Sequence, residues 1–298
     1  MYKKVLVPLD GSKLAEAVLP AVTQIATGLK ARVTLFGVVE EDIVAAIANP
    51  MQGRYVDQVG STALTVARDY LKGVSRRLGL PEDQVQCTAK VAAVSEAIVE
   101  EAERDGATLI AMSTHGRSGA GRWLLGSVAD KVLHAASAPL LLYRPRADRR
   151  QGAEFSTIVV PLDGSPMAET VLPHAEALAG AMGLGVHLIR VTSTLIEYYA
   201  GEGFYTYPGD LIAEMDREAL RYLEAKSAEL KKRGVRKVTT QHLTGAVAIQ
   251  IVDAVKNLPG SLVAISSHGR SGVGRWVLGS VADRVVSGAG SPVLVVRP

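Results

Sequence analysis

Apolar positions along this chain recur with two periods in alternation. "KKVLVPLD" at 3–10 is a short β-rich run, and "SKLAEAVLPAVTQIATGLK" at 12–30 places Leu14, Ala17, Val18, Ala21 and Ile25 on one helical face. The order continues with "ARVTLFGVV" as strand, a variable segment, "STALTVARDYLKGVSRRLGL" as helix and "QVQCTAKVA" as strand. It closes with "SEAIVEEAERDG" as helix, "ATLIAMS" as strand, a glycine-rich loop, "SVADKVLHAAS" as helix and "PLLLYRP" as strand. Strands separated by helices of this length require crossover connections and a mostly parallel sheet covered on both faces.

The whole arrangement occurs twice. Pro8, Asp10, Ser12, Pro20, Val38, His115, Gly126 and Pro139 each have an identical partner 153 positions later, and "STHGRSGAGRWLLGS" at 113–127 returns as "SSHGRSGVGRWVLGS" at 266–280. A constant offset means that both halves share one architecture. The expected organisation is a domain at 1–145, a linker at 146–154 and a second domain at 155–298. Each domain is α/β and doubly wound (Rossmann-like), a five-stranded mostly parallel sheet flanked by helices. The linker arginines read as a short solvated charge run. In the second copy the first helix opens Ser165–Pro166, a capping serine followed by proline.

Composition narrows the partners. Thirty-three Lys and Arg against 30 Asp and Glu leave a net charge of +3, too little for a nucleic-acid footprint. Pro8 and Asp10 interrupt the first apolar run, so it lacks the core of a signal peptide, and no apolar stretch has the length of a membrane span. The single cysteine, Cys87, permits no internal disulfide and fits a reducing, cytoplasmic setting; its place in an alternating run reads as a half-buried strand position rather than a reactive thiol.

Doubly wound sheets take ligands beyond the carboxyl ends of their strands, where strand order reverses. Three segments end there in each half: "PLDGS" after the first strand, "GVV" or "RVT" after the second, and the glycine loop after the fourth. Gly116, Gly119 and Gly121 leave backbone amides open to an oxyanion. Gly126, Ser127 and Val128 then start a helix whose N-terminal amides and dipole favour phosphate, and the Ser127 hydroxyl is free to cap that helix or donate to a ligand. Gly269, Gly272, Gly274, Gly279, Ser280 and Val281 repeat this. Arg117 and Arg122, and Arg270 in the repeat, flank the loop as phosphate contacts or as solvated charges. His115 and His268 serve the loop backbone or a ligand, and Trp123 and Leu125 anchor the loop by packing. Asp10 either caps a turn or receives a donor from a base or ribose.

With these residues in place, both halves resemble the nucleotide-binding branch of the universal stress protein family, whose pattern is glycine, two residues, glycine, nine residues, then glycine with serine or threonine. Gly116, Gly126 and Ser127 match its later part, as do Gly269, Gly279 and Ser280; the leading glycine is Ser113 here and Ser266 in the repeat. The resemblance implies an adenine-nucleotide alpha-hydrolase-like fold and ATP, or another adenine nucleotide, with Mg²⁺ on its phosphates. It implies that Pro8, Asp10 and Ser12, and Pro161, Asp163 and Ser165, lie near the nucleoside, and that Val38 and Val191 meet the adenine. It also implies a role in stress adaptation. In this family the last strands of two subunits pair, and the strands at 139–143 and 292–296 are expected to do so within one chain; a homodimer of chains is a further option that no particular residue supports.

Three function classes stand beside one another. A nucleotide-dependent regulator is favoured, with one nucleotide in each half. A slow ATPase, or a hydrolase built on Asp10, His115 and Ser118, is the alternative. Against it, "GRSGA" lacks the last glycine of a nucleophile elbow, no "GxxxxGK[ST]" is present, and Asp130 and Asp283 fall in the first turns of helices. A scaffold with vestigial loops is the third. The segments 41–60 and 192–212 differ most between the copies, and the second gathers Tyr198, Tyr199, Phe204, Tyr205 and Tyr207.

Overall fold

The computed structural model describes residues 1–48, 55–104, 106, 108–114, 126–144, 154–193, 195–197, 204–206, 209–268 and 278–298, with 195–197 and 204–206 described by backbone alone. The chain divides into two compact units, Met1–Gly152 and Ala153–Pro298. The linker at 146–154 lies outside the described residues except Glu154.

The first unit runs β1 (Lys4–Leu9), α1 (Lys13–Glu16), α2 (Leu19–Leu29), β2 (Arg32–Val39), α3 (Glu41–Ile47), α4 (Val56–Arg77), β3 (Val85–Val91), α5 (Val94–Glu103), β4 (Thr108–Ser113), α6 (Ser127–Ala135) and β5 (Leu140–Tyr143). Its strands lie in the order β5-β4-β1-β2-β3, every neighbouring pair parallel. The order reverses between β1 and β4, so the site lies at their carboxyl ends.

The second unit runs β6 (Thr157–Pro161), α7 (Pro166–Glu169), α8 (Leu172–Met182), β7 (Gly185–Thr192), β8 (Leu195–Glu197), β9 (Phe204–Thr206), α9 (Gly209–Lys232), β10 (Val238–Thr244), α10 (Val247–Lys256), β11 (Ser261–Ser266), α11 (Ser280–Gly288) and β12 (Val293–Val296). The order β12-β11-β6-β7-β10 is again parallel throughout. The central strands β1, β4, β6 and β11 carry aliphatic runs, as strands covered on both faces must.

The single helix expected over 12–30 is two. Ser12 caps α1, its hydroxyl accepting from the Ala15 amide at 3.1 Å, and the chain turns at Ala17–Val18 before α2 begins with Pro20 in its first turn. Proline has no amide hydrogen to give to the preceding turn, so the helix restarts there; Pro173 does the same at the start of α8. The restart rotates the apolar face: Val18, Ala21 and Ile25 are buried, whereas Leu14 is 42% exposed. Both variable segments contain elements that periodicity did not reveal, α3 in one and the antiparallel β8–β9 pair in the other. The helix expected at 61–80 already begins at Val56.

One buried ion pair stands out in the first unit. The Lys4 ammonium donates to the Glu101 carboxylate at 2.7 Å and to its backbone carbonyl at 3.2 Å, with both side chains under one-tenth exposed. It ties β1 to α5. Among the described residues no helix is long and apolar enough to cross a membrane.

Cys87 sits half-buried on β3, as its alternating context implied. Burial pushes its thiol up despite the lowering effect of Ser75 and Lys72. Since the thiolate is the reactive form, iodoacetamide at neutral pH should label the folded protein more slowly than a free cysteine peptide; mass spectrometry showing equal rates would contradict this.

Candidate functional site

The loop after β1 is organised by Asp10, whose Oδ1 accepts from the Ser12 amide at 2.9 Å. Asp10 therefore does cap the turn, and it also lines a cavity of about 730 Å³ at the carboxyl ends of β1, β2 and β4. Pro8, Val38, Ser113, Gly126, Ser127 and Val128 line the same cavity. Ser12 does not; its hydroxyl is spent on α1.

Two regions of the wall differ in chemistry. Near Val38 the wall is made of Gly37, Val39, Val66, Ala67 and Ile98, a lining suited to an apolar ring. At the other side stands the start of α6. The Gly126 amide is bonded to the Thr114 carbonyl at 2.7 Å, pinning the two ends of the glycine loop together. Gly126, not Ser127, is the N-cap residue, and no side chain caps the helix. The first intrahelical bond runs from the Asp130 amide to Gly126 O at 2.9 Å, so the amides of Ser127, Val128 and Ala129 precede it and form the helix's anion-facing end. Asp130 sits in that first turn as expected.

The leading serine of the motif is turned away from the helix start. Ser113 is buried and its hydroxyl donates to the Ala15 carbonyl at 3.4 Å. At the cavity wall Tyr70 donates to Glu16 at 2.9 Å, and Arg77 meets the other carboxylate oxygen at 2.8 Å. Burial, and then the Glu16 bond, hold the Tyr70 hydroxyl far above its ordinary range.

The second domain repeats the frame. Asp163 accepts from the Ser165 amide at 2.9 Å and hydroxyl at 2.7 Å, and Ser165 caps α7. Gly279 is bonded to Ser267 O at 2.9 Å and caps α11; a Cβ there would stand 3.0 Å from that carbonyl, a contact so tight that any side chain would oblige the strand end or the helix start to give. Pro161, Asp163, Val191, Ser266, His268, Gly279, Ser280 and Val281 line a cavity of about 420 Å³, from which Ser165 is absent. Ser266 differs from Ser113 in that its buried hydroxyl has no hydrogen-bond partner among the described residues. His268 Nδ1 lies 3.0 Å from the Ser267 hydroxyl. His115, Gly116, Arg117, Gly119, Ser118, Trp123 and Leu125, and Gly269, Arg270 and Gly272, lie outside the described residues.

The arginine of the "RVT" segment, to which the sequence assigned no role, also lines this second cavity. Arg190, only 7% exposed, is 3.2 Å from Glu218 and lies over the Tyr222 ring at 4.9 Å from its centre. The signal was available: with the offset of 153, Arg190 stands where the first copy has Gly37.

The comparisons with known proteins agree with this geometry. The model of the universal stress protein family matches residues 1–144 and again 154–297. A universal stress protein of Mycolicibacterium smegmatis is 25% identical over 296 residues, covering 99% of this chain and 97% of its own. One of Methanocaldococcus jannaschii is 32% identical over 146 residues, 48% of this chain and 82% of its own. A solved universal stress protein from Archaeoglobus fulgidus shares the fold with a TM-score of 0.71 at 19% identity, covering 100% of this chain and 99% of that one. With two domain matches that span nearly every residue, and the same strand order in both, the chain belongs to the universal stress protein family as a tandem member.

Proposed function

We propose that this protein binds an adenine nucleotide, ATP foremost, and acts as a nucleotide-dependent regulator in stress adaptation. The observation that carries the reading is the first cavity, which joins an apolar wall at Gly37, Val38 and Val66 to a helix start with glycine at its cap. An adenine suits the former, a phosphate the latter, and Asp10 stands between β1 and the cavity to receive the nucleoside's hydroxyls. Mg²⁺ would arrive on the phosphates, since among the described residues no cluster of three His, Cys, Asp or Glu could hold a metal ion.

Regulation is favoured over turnover because none of the described residues around the start of α6 is placed as a base: Asp130 is exposed on the helix's first turn. Nucleotide released from the heat-denatured purified protein, identified by chromatography, tests the ligand assignment; absence of any adenine nucleotide, together with no heat on titration with ATP, would overturn it. Phosphate release at ordinary enzyme rates of about 10 s⁻¹ would favour an enzyme over a regulator.

The outer strands β5 and β12 are each short, aliphatic and preceded by proline. An uncovered strand of this kind is an aggregation hazard. Their antiparallel pairing within one chain is part of the proposal. Cysteines at Leu141 and Leu294 in a Cys87-free background should form an intrachain disulfide, and failure at every nearby register in folded protein would refute it.

A further inference from the structure

The two cavities are not equivalent, and one difference between their walls lies in a pair of facing positions. Gly37 on β2 precedes the cavity residue Val38, and Arg190 on β7 precedes its counterpart Val191. On the helices that follow, Tyr70 and Tyr222 mark matching places, each donating its hydroxyl to the glutamate at the end of the capped turn, Glu16 at 2.9 Å and Glu169 at 2.8 Å. Counted from these tyrosines, Val66 on α4 matches Glu218 on α9. A glycine and a valine in the first wall are thus an arginine and a glutamate in the second.

Arg190 is held on three sides. Glu218 pairs with it at 3.2 Å, Tyr222 lies under it, and a Cβ built on Gly164 would stand 3.3 Å from the guanidinium carbon. Its charge is matched by a carboxylate and its plane rests on an aromatic face, so this is a settled side chain and not a free cation awaiting an anion. It lies beside Val191, the position where the first cavity offers room next to Val38. The second cavity measures about 420 Å³ against about 730 Å³. Admitting a base there would require the guanidinium to leave both its ion pair with Glu218, whose side chain is 64% exposed, and the face of the Tyr222 ring.

Resting on the adenine-nucleotide reading above, we infer that Arg190 and Glu218 close the second cavity to the nucleobase, so that the chain carries one working nucleotide site, in the first domain. The frame of the second site (the capped loop, the glycine approach, the helix start) persists around a filled base position. Equal occupancy of both halves, the expectation from the intact motifs alone, gives way to an asymmetric pair.

Calorimetric titration of the full chain with ATP and Mg²⁺ should give one site per chain. Gly37→Arg with Val66→Glu, which copies the second wall into the first, should weaken that site at least a hundredfold. Arg190→Gly with Glu218→Val should raise the stoichiometry to two, with thermal unfolding verifying that each variant is folded. If this last variant does not fold, Arg190→Ala with Glu218→Gln is read in the same way. Two sites of similar affinity in the unmodified protein, an unchanged single site after the Gly37→Arg and Val66→Glu exchange, or a single site in the folded Arg190 variant would each overturn the inference. No binding by any of the proteins would instead overturn the nucleotide reading on which it rests.

Discussion

Glu101→Ala should destabilise the first domain by about 3–5 kcal/mol, the range for breaking a buried ion pair from one side. The carboxylate removed is the partner of Lys4 at 2.7 Å, and Arg104 reaches its other oxygen at 2.9 Å from the exposed side. Lys4, 4% exposed on the central strand β1, would lose this carboxylate as its countercharge while keeping the Glu101 backbone carbonyl at 3.2 Å. Removing both partners has a different consequence. The second domain carries Thr157 and Ala254 at the matching positions, so Lys4→Thr with Glu101→Ala copies an arrangement that this fold already uses. Replacing a buried pair by well-packed apolar residues of similar volume is often neutral, so part of the loss should be recovered even with these smaller side chains. Denaturant unfolding of the two variants decides the matter: a single-variant cost below about 1 kcal/mol, or no recovery in the double variant, would show that Lys4 and Glu101 do not depend on each other.

Gly126→Val should abolish nucleotide binding in the first domain, with an affinity loss of at least about a hundredfold, equivalent to about 2.7 kcal/mol. The Gly126 amide bonds the Thr114 carbonyl at 2.7 Å, and in the second domain a Cβ on the equivalent Gly279 would come within 3.0 Å of the matching carbonyl. A branched side chain at that point must part the strand end from the helix start and displace the amides of Ser127, Val128 and Ala129 that would face the phosphates. The fold itself should survive, because the core strands β1 and β4 are untouched. Gly279→Val provides the comparison: it disturbs the same geometry in the domain where Arg190 occupies the base position, so it should leave ATP affinity unchanged. Titration calorimetry on both variants tests the assignment, and equal effects of the two substitutions would contradict it.

Much of this organisation was legible in the residue pattern. The duplication at a constant offset of 153, the alternation of strand and helix, and the glycine loop leading into α6 and α11 are carried by neighbours in sequence, and the two domains follow from them. Ser12 and Ser165 as caps belong to the same class, because a cap depends only on a side chain and an amide three residues on. The division of the helix at 12–30 was visible in principle through Pro20, whose missing amide hydrogen is a local fact.

What the tertiary structure alone decided is which side chains meet at each cavity. That Asp10 both braces its turn and faces the cavity depends on how β1 ends beside β4, and that Ser113 binds the Ala15 carbonyl depends on α1 returning over that strand. The packing around Arg190 at the second cavity depends on three segments that are distant in sequence, since Arg190 comes from β7, Glu218 and Tyr222 from α9, and Gly164 from the loop after β6. Periods, caps and prolines act over a few residues and can be read along the chain. The lining of a cavity is set by which side chains the crossover connections bring face to face, and those come from positions far apart in sequence.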